Sequence, residues 1–122
     1  MGEAMRVVNE TRGTVLVSNG RVASNSLTRL RGLIGSKPLE SGQGLLIVGC
    51  KSVHTHFMGF AIDVLYMDRD KRVAGMDRDL TPWRLGHTFA GSRHVIELPA
   101  GTLEASGTQA GDALSIEGYA LR

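Results

Sequence analysis

The sequence predicts a mostly β domain, a compact antiparallel β-sandwich or barrel-like fold with one short helix near residues 26–34. Three observations carry that prediction. Short apolar and β-branched runs recur along the chain, each closed by turn residues. Sixteen glycines stand against three prolines, the signature of many tight turns. Only one segment has apolar residues at helical spacing. The 122 residues suit one domain spanning the whole chain, 1–122, with a core that needs no staples.

The elements follow in order. Met5 to Val8 and Thr14 to Val17 read as an opening hairpin punctuated by Gly13. Asn19-Gly20 is a turn signal, and Arg21-Val22-Ala23 extends the sheet. Ser24-Asn25-Ser26 offers N-caps to a helix carrying Leu27, Leu30, Leu33 and Ile34, with Gly35 as its stop. Leu45 to Val48, Val53 to Met58 and Ile62 to Met67 read as strands. Asp68-Arg69-Asp70-Lys71 turns the chain into a partner strand from Arg72 to Met76. Leu80 to Ser92 is irregular, His94 to Leu98 is a strand, and Thr102 to Ser106 has room for one helical turn. Gly111-Asp112 turns into the last strand, Ala113 to Glu117.

Charge narrows the partners. Fourteen basic residues against twelve acidic ones give a net charge of +2, and most basic residues alternate with Asp. A nucleic-acid surface shows a denser basic stripe with interleaved aromatics, so no nucleic-acid partner is expected. The first seventeen residues lack the pattern of a secretory leader, and no apolar run reaches the length of a membrane span. The single cysteine forms no internal disulfide. A cytoplasmic protein with no membrane partner, a monomer or weak homodimer, is the expectation.

Chemistry concentrates in Cys50-Lys51-Ser52-Val53-His54-Thr55-His56, followed by Met58 and Asp63. On a strand, alternation would put His54, His56 and Met58 on one face and Val53, Thr55 and Phe57 in the core. The two histidines would have Cα atoms roughly 6.6 Å apart, within reach of one metal ion. A third ligand is harder to supply, since Cys50 lies about 13 Å from His54 along an extended chain. No metal and no cofactor is therefore assigned, and a half-solvated polar face explains the pattern as well. Asp63 and Glu97 each interrupt an apolar strand, Ile62 to Tyr66 and Val95 to Leu98. Such carboxylates are exposed, paired inside, or an acid–base couple. Trp83, in Pro82-Trp83-Arg84, is the only tryptophan, a ligand contact or a plug at one end of the sheet.

Together these residues resemble the bacterial and archaeal domain-of-unknown-function family 192. The likeness runs from about Thr28 to Glu117. It rests on Arg31-Gly32-Leu33, Gly44-Leu45-Leu46, Cys50-x-x-Val53-His54-Thr55-x-x-Met58 and Ile62-Asp63-Val64-Leu65-Tyr66-Met67-Asp68. Pro82-Trp83-Arg84, Val95 through Gly101 and Gly111-Asp112 complete it. The chain is similar to the members with a Cys-x-x-hydrophobic-His-Thr segment, whereas many others have Trp-Met in place of Phe57-Met58. His56 departs from the residue expected after the Thr. The resemblance implies a β-sandwich or barrel-like fold and no activity, cofactor or substrate. It marks Arg31, His54, Thr55, Asp63 and Glu97 as shared polar positions. It also leaves room for Arg31 and Asp63 as an ion pair and for Glu97 as a partner of loop amides.

Three functions remain open at this point. The first is a binding module with a shallow pocket for a small polar or anionic ligand, formed by Arg31, His54, Thr55, Met58, Asp63, Trp83, Arg84 and Glu97. The second is a hydrolase or lyase using His54 oriented by Asp63, with or without metal. The third is a structural domain that docks on a protein partner.

Overall fold

The computed structural model describes residues 4–121, apart from the side chain of Leu30, a member of the expected helical series. Seven strands and two short helices follow in order: β1 Met5–Asn9, β2 Thr14–Ala23, α1 Ser26–Arg31, β3 Gln43–Ile47, β4 Ile62–Asp68, β5 Val73–Leu80, β6 Ser92–Pro99, α2 Thr102–Ser106 and β7 Leu114–Glu117. One sheet runs β5-β4-β6-β3-β2-β1-β7. Among the described residues only β2 and β3 pair in parallel. The sheet curls until its edges touch at one end, where Arg72 bridges Ala113 and Val73 exchanges hydrogen bonds with Gly111 and Asp112. Of the two architectures expected, this is the barrel-like one, a curled half-barrel.

Both faces of the sheet are covered. Along β4 the side chains alternate. Leu65 and Met67 join Val7, Val17, Leu46, Ile96, Leu98 and Leu103 inside the curl. Ile62, Val64 and Tyr66 join Leu33, Leu45, Ile47, Met58 and Val95 on the outer face, beneath the segments 32–42, 48–61 and 81–90. That two-sided burial is why β4 reads as a continuous apolar run.

Local chemistry sets the ends. Asn25 caps α1: its Oδ1 accepts the Thr28 amide at 2.9 Å and the Thr28 hydroxyl lies 3.3 Å from the Asn25 amide. The helix stops at Gly32, whose φ of +52° favours glycine, three residues earlier than the spacing suggests. Leu27 is accordingly exposed rather than part of an apolar stripe. Asn19-Gly20 is no turn either. Both lie inside β2, and a Cβ on Gly20 would sit 2.6 Å from Met5 Cε, so close strand packing explains that glycine. The first hairpin turns at Gly13, as the sequence suggests.

The β1 end is tied to the segment before β7. Asp112 accepts two bonds from the Arg12 guanidinium, 2.9 and 3.1 Å, and one from the Asn9 amide at 3.0 Å. The guanidinium foremost holds the Asp112 carboxyl down at about 2, against 3.8 for the free side chain. A carboxyl whose folded value is lowered stabilises fully above its unfolded value, and that contribution drains as pH falls through the folded one. Asp112→Asn is therefore expected to be less stable than the parent at pH 7 by about 1–3 kcal/mol. The difference should vanish between about pH 4 and 2 in urea titrations followed by circular dichroism, and a constant difference across that window contradicts the assignment.

Candidate functional site

The segment expected to be a strand, Val53 to Met58, is a loop. Its only bridge is His54 to Leu85. Phe57 takes a φ of +66°, which no strand tolerates, and its ring is 69% exposed instead of lying in the core. The exchange partner is not the sheet but the loop 81–86. Thr55 donates its amide to Arg84 O and its hydroxyl to Thr81 O, and its Oγ1 accepts the Arg84 amide. Trp83 and Gly86 return amide bonds to Thr55 O and Val53 O. Thr55, fully buried, is thus a clasp between two loops. Above it Trp83, also at positive φ, packs its ring on His56 and Phe57 with centroids 5.4 and 4.7 Å away. Arg84 is exposed beside it.

His54 and His56 stay close, with ring centroids 5.1 Å apart, and His54 Nδ1 accepts the His56 amide. Among the described residues no third His, Cys, Asp or Glu joins them in a ligand set.

The two intrusive carboxylates fall on opposite faces. Asp63 points into the curl. Its Oδ1 accepts the Asp79 amide at 2.9 Å, and its Oδ2 accepts those of Gly101 and Leu103 at 3.1 and 2.9 Å. It ties β5 and the start of α2 to β4, away from His54, so neither an Arg31–Asp63 pair nor a His54–Asp63 couple forms. The bonding to loop amides expected of Glu97 is made by Asp63.

Glu97 lies on the outer face, in a row Leu45–Glu97–Val64–Asp77 across β3, β6, β4 and β5. It is 3% exposed, and its Oε1 has no hydrogen-bond partner. Burial lifts its carboxyl to about 7. Glu97 lines a cleft of about 80 Å³ between α1 and the loop that starts at Gly49. Arg29, Arg31 and Gly32 form one wall; Cys50, His54 and Met58 form the other. The Cys50 thiol donates to Ser52 O, and burial pushes its pKa up, so it is a packing group rather than an activated nucleophile. Of the sequence candidates, the fold therefore gathers Arg31, His54, Met58 and Glu97 around one cleft. Thr55 clasps the loop beside it, Trp83 and Arg84 sit on the adjoining loop, and Asp63 is elsewhere.

A second polar chain escaped the sequence reading. The Tyr66 hydroxyl donates to Asp77 Oδ2 at 2.7 Å, the His87 amide donates to the same oxygen at 2.8 Å, and His87 Nδ1 meets Asp77 Oδ1. Burial alone would raise the Asp77 carboxyl, but these bonds outweigh it and leave it below the usual range. Burial and then the Asp77 bond push Tyr66 up. Gly86 admits the loop here, since a Cβ would fall 2.3 Å from the Tyr66 hydroxyl. The signal available was Gly86-His87 in an irregular stretch, with the Asp one strand away.

Comparison with known proteins agrees with this architecture. The family model DUF192, "Uncharacterized ACR, COG1430", matches residues 7–116. A UPF0127 protein of Pyrococcus furiosus is 32% identical over 111 residues, 88% of this chain and 95% of that one. Another from Pyrococcus horikoshii is 31% identical over 111 residues, 88% and 96% of the two chains. A protein of unknown function from Novosphingobium aromaticivorans superposes with a TM-score of 0.79 at 18% identity, over 92% of this chain and 83% of that one. A putative transcription regulator from Sinorhizobium meliloti gives 0.79 at 20%, over 98% and 96%. These structural likenesses speak for the fold alone.

Proposed function

The chain belongs to the DUF192 family, which brings a fold without an assigned reaction, and from that premise we propose that it is a single-domain binding module for a small polar or anionic ligand. One observation carries the reading: a buried carboxyl, Glu97, in the lining of a cleft, with an oxygen that has no hydrogen-bond partner. Buried polar atoms are normally paired, and an orphan in a cleft is a ready position for a ligand's polar group. Arg31 and His54 supply donors at the cleft wall, and Met58 its apolar side. Trp83 and Arg84 flank the site through the loop that Thr55 clasps.

The test is an amide-shift titration of the nitrogen-15-labelled chain with a set of small sugars, carboxylates, phosphate esters and amines. Shifts are expected at Gly32, Val53, His54 and Met58. Shifts confined to the open groove between β2 and α2, or none at millimolar concentrations, sink the reading.

One feature favours a second reading, an acid–base enzyme. A carboxyl near 7 is matched to proton transfer at neutral pH. In that reading the proton-transfer group is Glu97 rather than a His54–Asp63 couple.

A further inference from the structure

The chemistry of the cleft narrows the ligand, on the premise that the cleft binds one. A second cavity, about 150 Å³, shares the walls Arg31 and Gly32 with the Glu97 cleft of about 80 Å³. Gly32 stands between them, with Glu97 Oε1 3.9 Å from where its Cβ would be. Gly32, favoured there by its φ of +52°, puts no side chain beside the carboxyl. Arg31 donates its Nε to Ile34 O at 3.3 Å. Among the described residues its terminal amino groups have no hydrogen-bond or ion-pair partner.

The charges are unequal. Arg29 and Arg31 line the first cavity, and Arg21 and Arg31 the second, while Glu97 is the sole acid in either. A ligand matching that field carries net negative charge, since a bare cation would face three arginines. Its anionic group suits the planar fork of Arg31, which pairs with carboxylate and phosphate in two parallel bonds. The Glu97 end calls for something else. An anion there would meet a buried carboxyl, whereas a hydroxyl can donate to the unpartnered oxygen and accept from the acid form. The cleft is small, about 80 Å³, which suits a compact group such as a hydroxyl.

We propose that the ligand is a small hydroxylated anion, a hydroxy-carboxylate or a polyol phosphate, with its hydroxyl on Glu97 and its anionic group on Arg31. The matched probes are sn-glycerol 3-phosphate, glycerate, inorganic phosphate, glycerol and phosphoethanolamine, each titrated into the labelled chain. One of the first two should shift the Gly32 and Val53 amides with a Kd at least tenfold below those of phosphate and glycerol. Arg31→Gln should weaken that probe at least tenfold without moving the melting temperature, because Arg31 is exposed. Glu97→Leu should bring it level with phosphate. Equal binding of phosphate, tighter binding of phosphoethanolamine, or indifference to Arg31→Gln overturns the assignment. If neither hydroxylated anion binds while other polar compounds shift the cleft amides, this ligand class falls and the binding module stands. If no polar compound shifts them, both fall.

Discussion

Replacing Glu97 by glutamine is expected to raise stability at pH 8 by roughly 3 kcal/mol and to leave it unchanged at pH 4. The reasoning starts from burial. Glu97 sits between Leu45 and Val64 in a row of the sheet, and its carboxyl rises to about 7 from an unfolded value of 4.5. Between those values the unfolded chain has lost the proton that the folded chain keeps. Stability therefore falls as pH rises from about 4.5 to about 7 and then levels off. Glutamine, always neutral, escapes the fall. The gain corresponds to a melting temperature higher by roughly 10 °C at pH 8, measurable by calorimetry. A variant that melts with the parent at both pH values would show that Glu97 is ionised at no cost, with a partner for its oxygen after all.

Asp63→Ala is expected to act in the opposite direction, lowering stability by about 3–5 kcal/mol at neutral pH. Three backbone amides, of Asp79, Gly101 and Leu103, donate to this one carboxylate, which is 1% exposed. Alanine leaves all three donors without their acceptor. Asp63→Asn keeps one acceptor and turns an amino group toward the others, so it should fall between parent and alanine. Urea unfolding gives the values. The fold is held at this point, not the ligand: the folded fraction of either variant should titrate the Glu97 cleft as the parent does. A neutral Asp63→Ala, or a folded variant with an altered cleft, contradicts this division of labour.

The contrast between these two carboxylates marks the limit of what the sequence reveals. Ile62-Asp63-Val64 and Ile96-Glu97-Leu98 look alike as letters. Which face each residue takes depends on strand register, and register is set by partners far along the chain: Asp63 opposes Leu98, and Glu97 opposes both Leu45 and Val64. Elements fixed by local chemistry were legible. The Asn25 cap, the Asp68 turn, whose carboxylate accepts the Asp70 and Arg72 amides, and the apolar run of β4 are examples. The histidine loop misled for a physical reason. Its β-branched, alternating pattern suits a strand, but Thr55 spends its backbone and hydroxyl bonds on another loop, and Phe57 leaves the extended region. The Arg31 and Gly32 pair was visible as part of a family resemblance. Its position against Glu97 needed the fold.

The contact between β5 and β7 has a consequence for how copies of this chain meet. A sheet with free borders offers unpaired backbone amides and carbonyls as a template for another strand, the usual opening for aggregation and for strand-adding peptides. Here Val73, at the start of β5, bonds Gly111 and Asp112 just ahead of β7, and the Leu114 amide of β7 donates to Lys71 O, so the start of each border is already consumed. Beyond that corner the border strands carry Arg78, Asp79 and Glu117, all exposed charges that discourage a newcomer from aligning. Closure at one corner and charge beyond it make these borders poor templates for a growing backbone ladder.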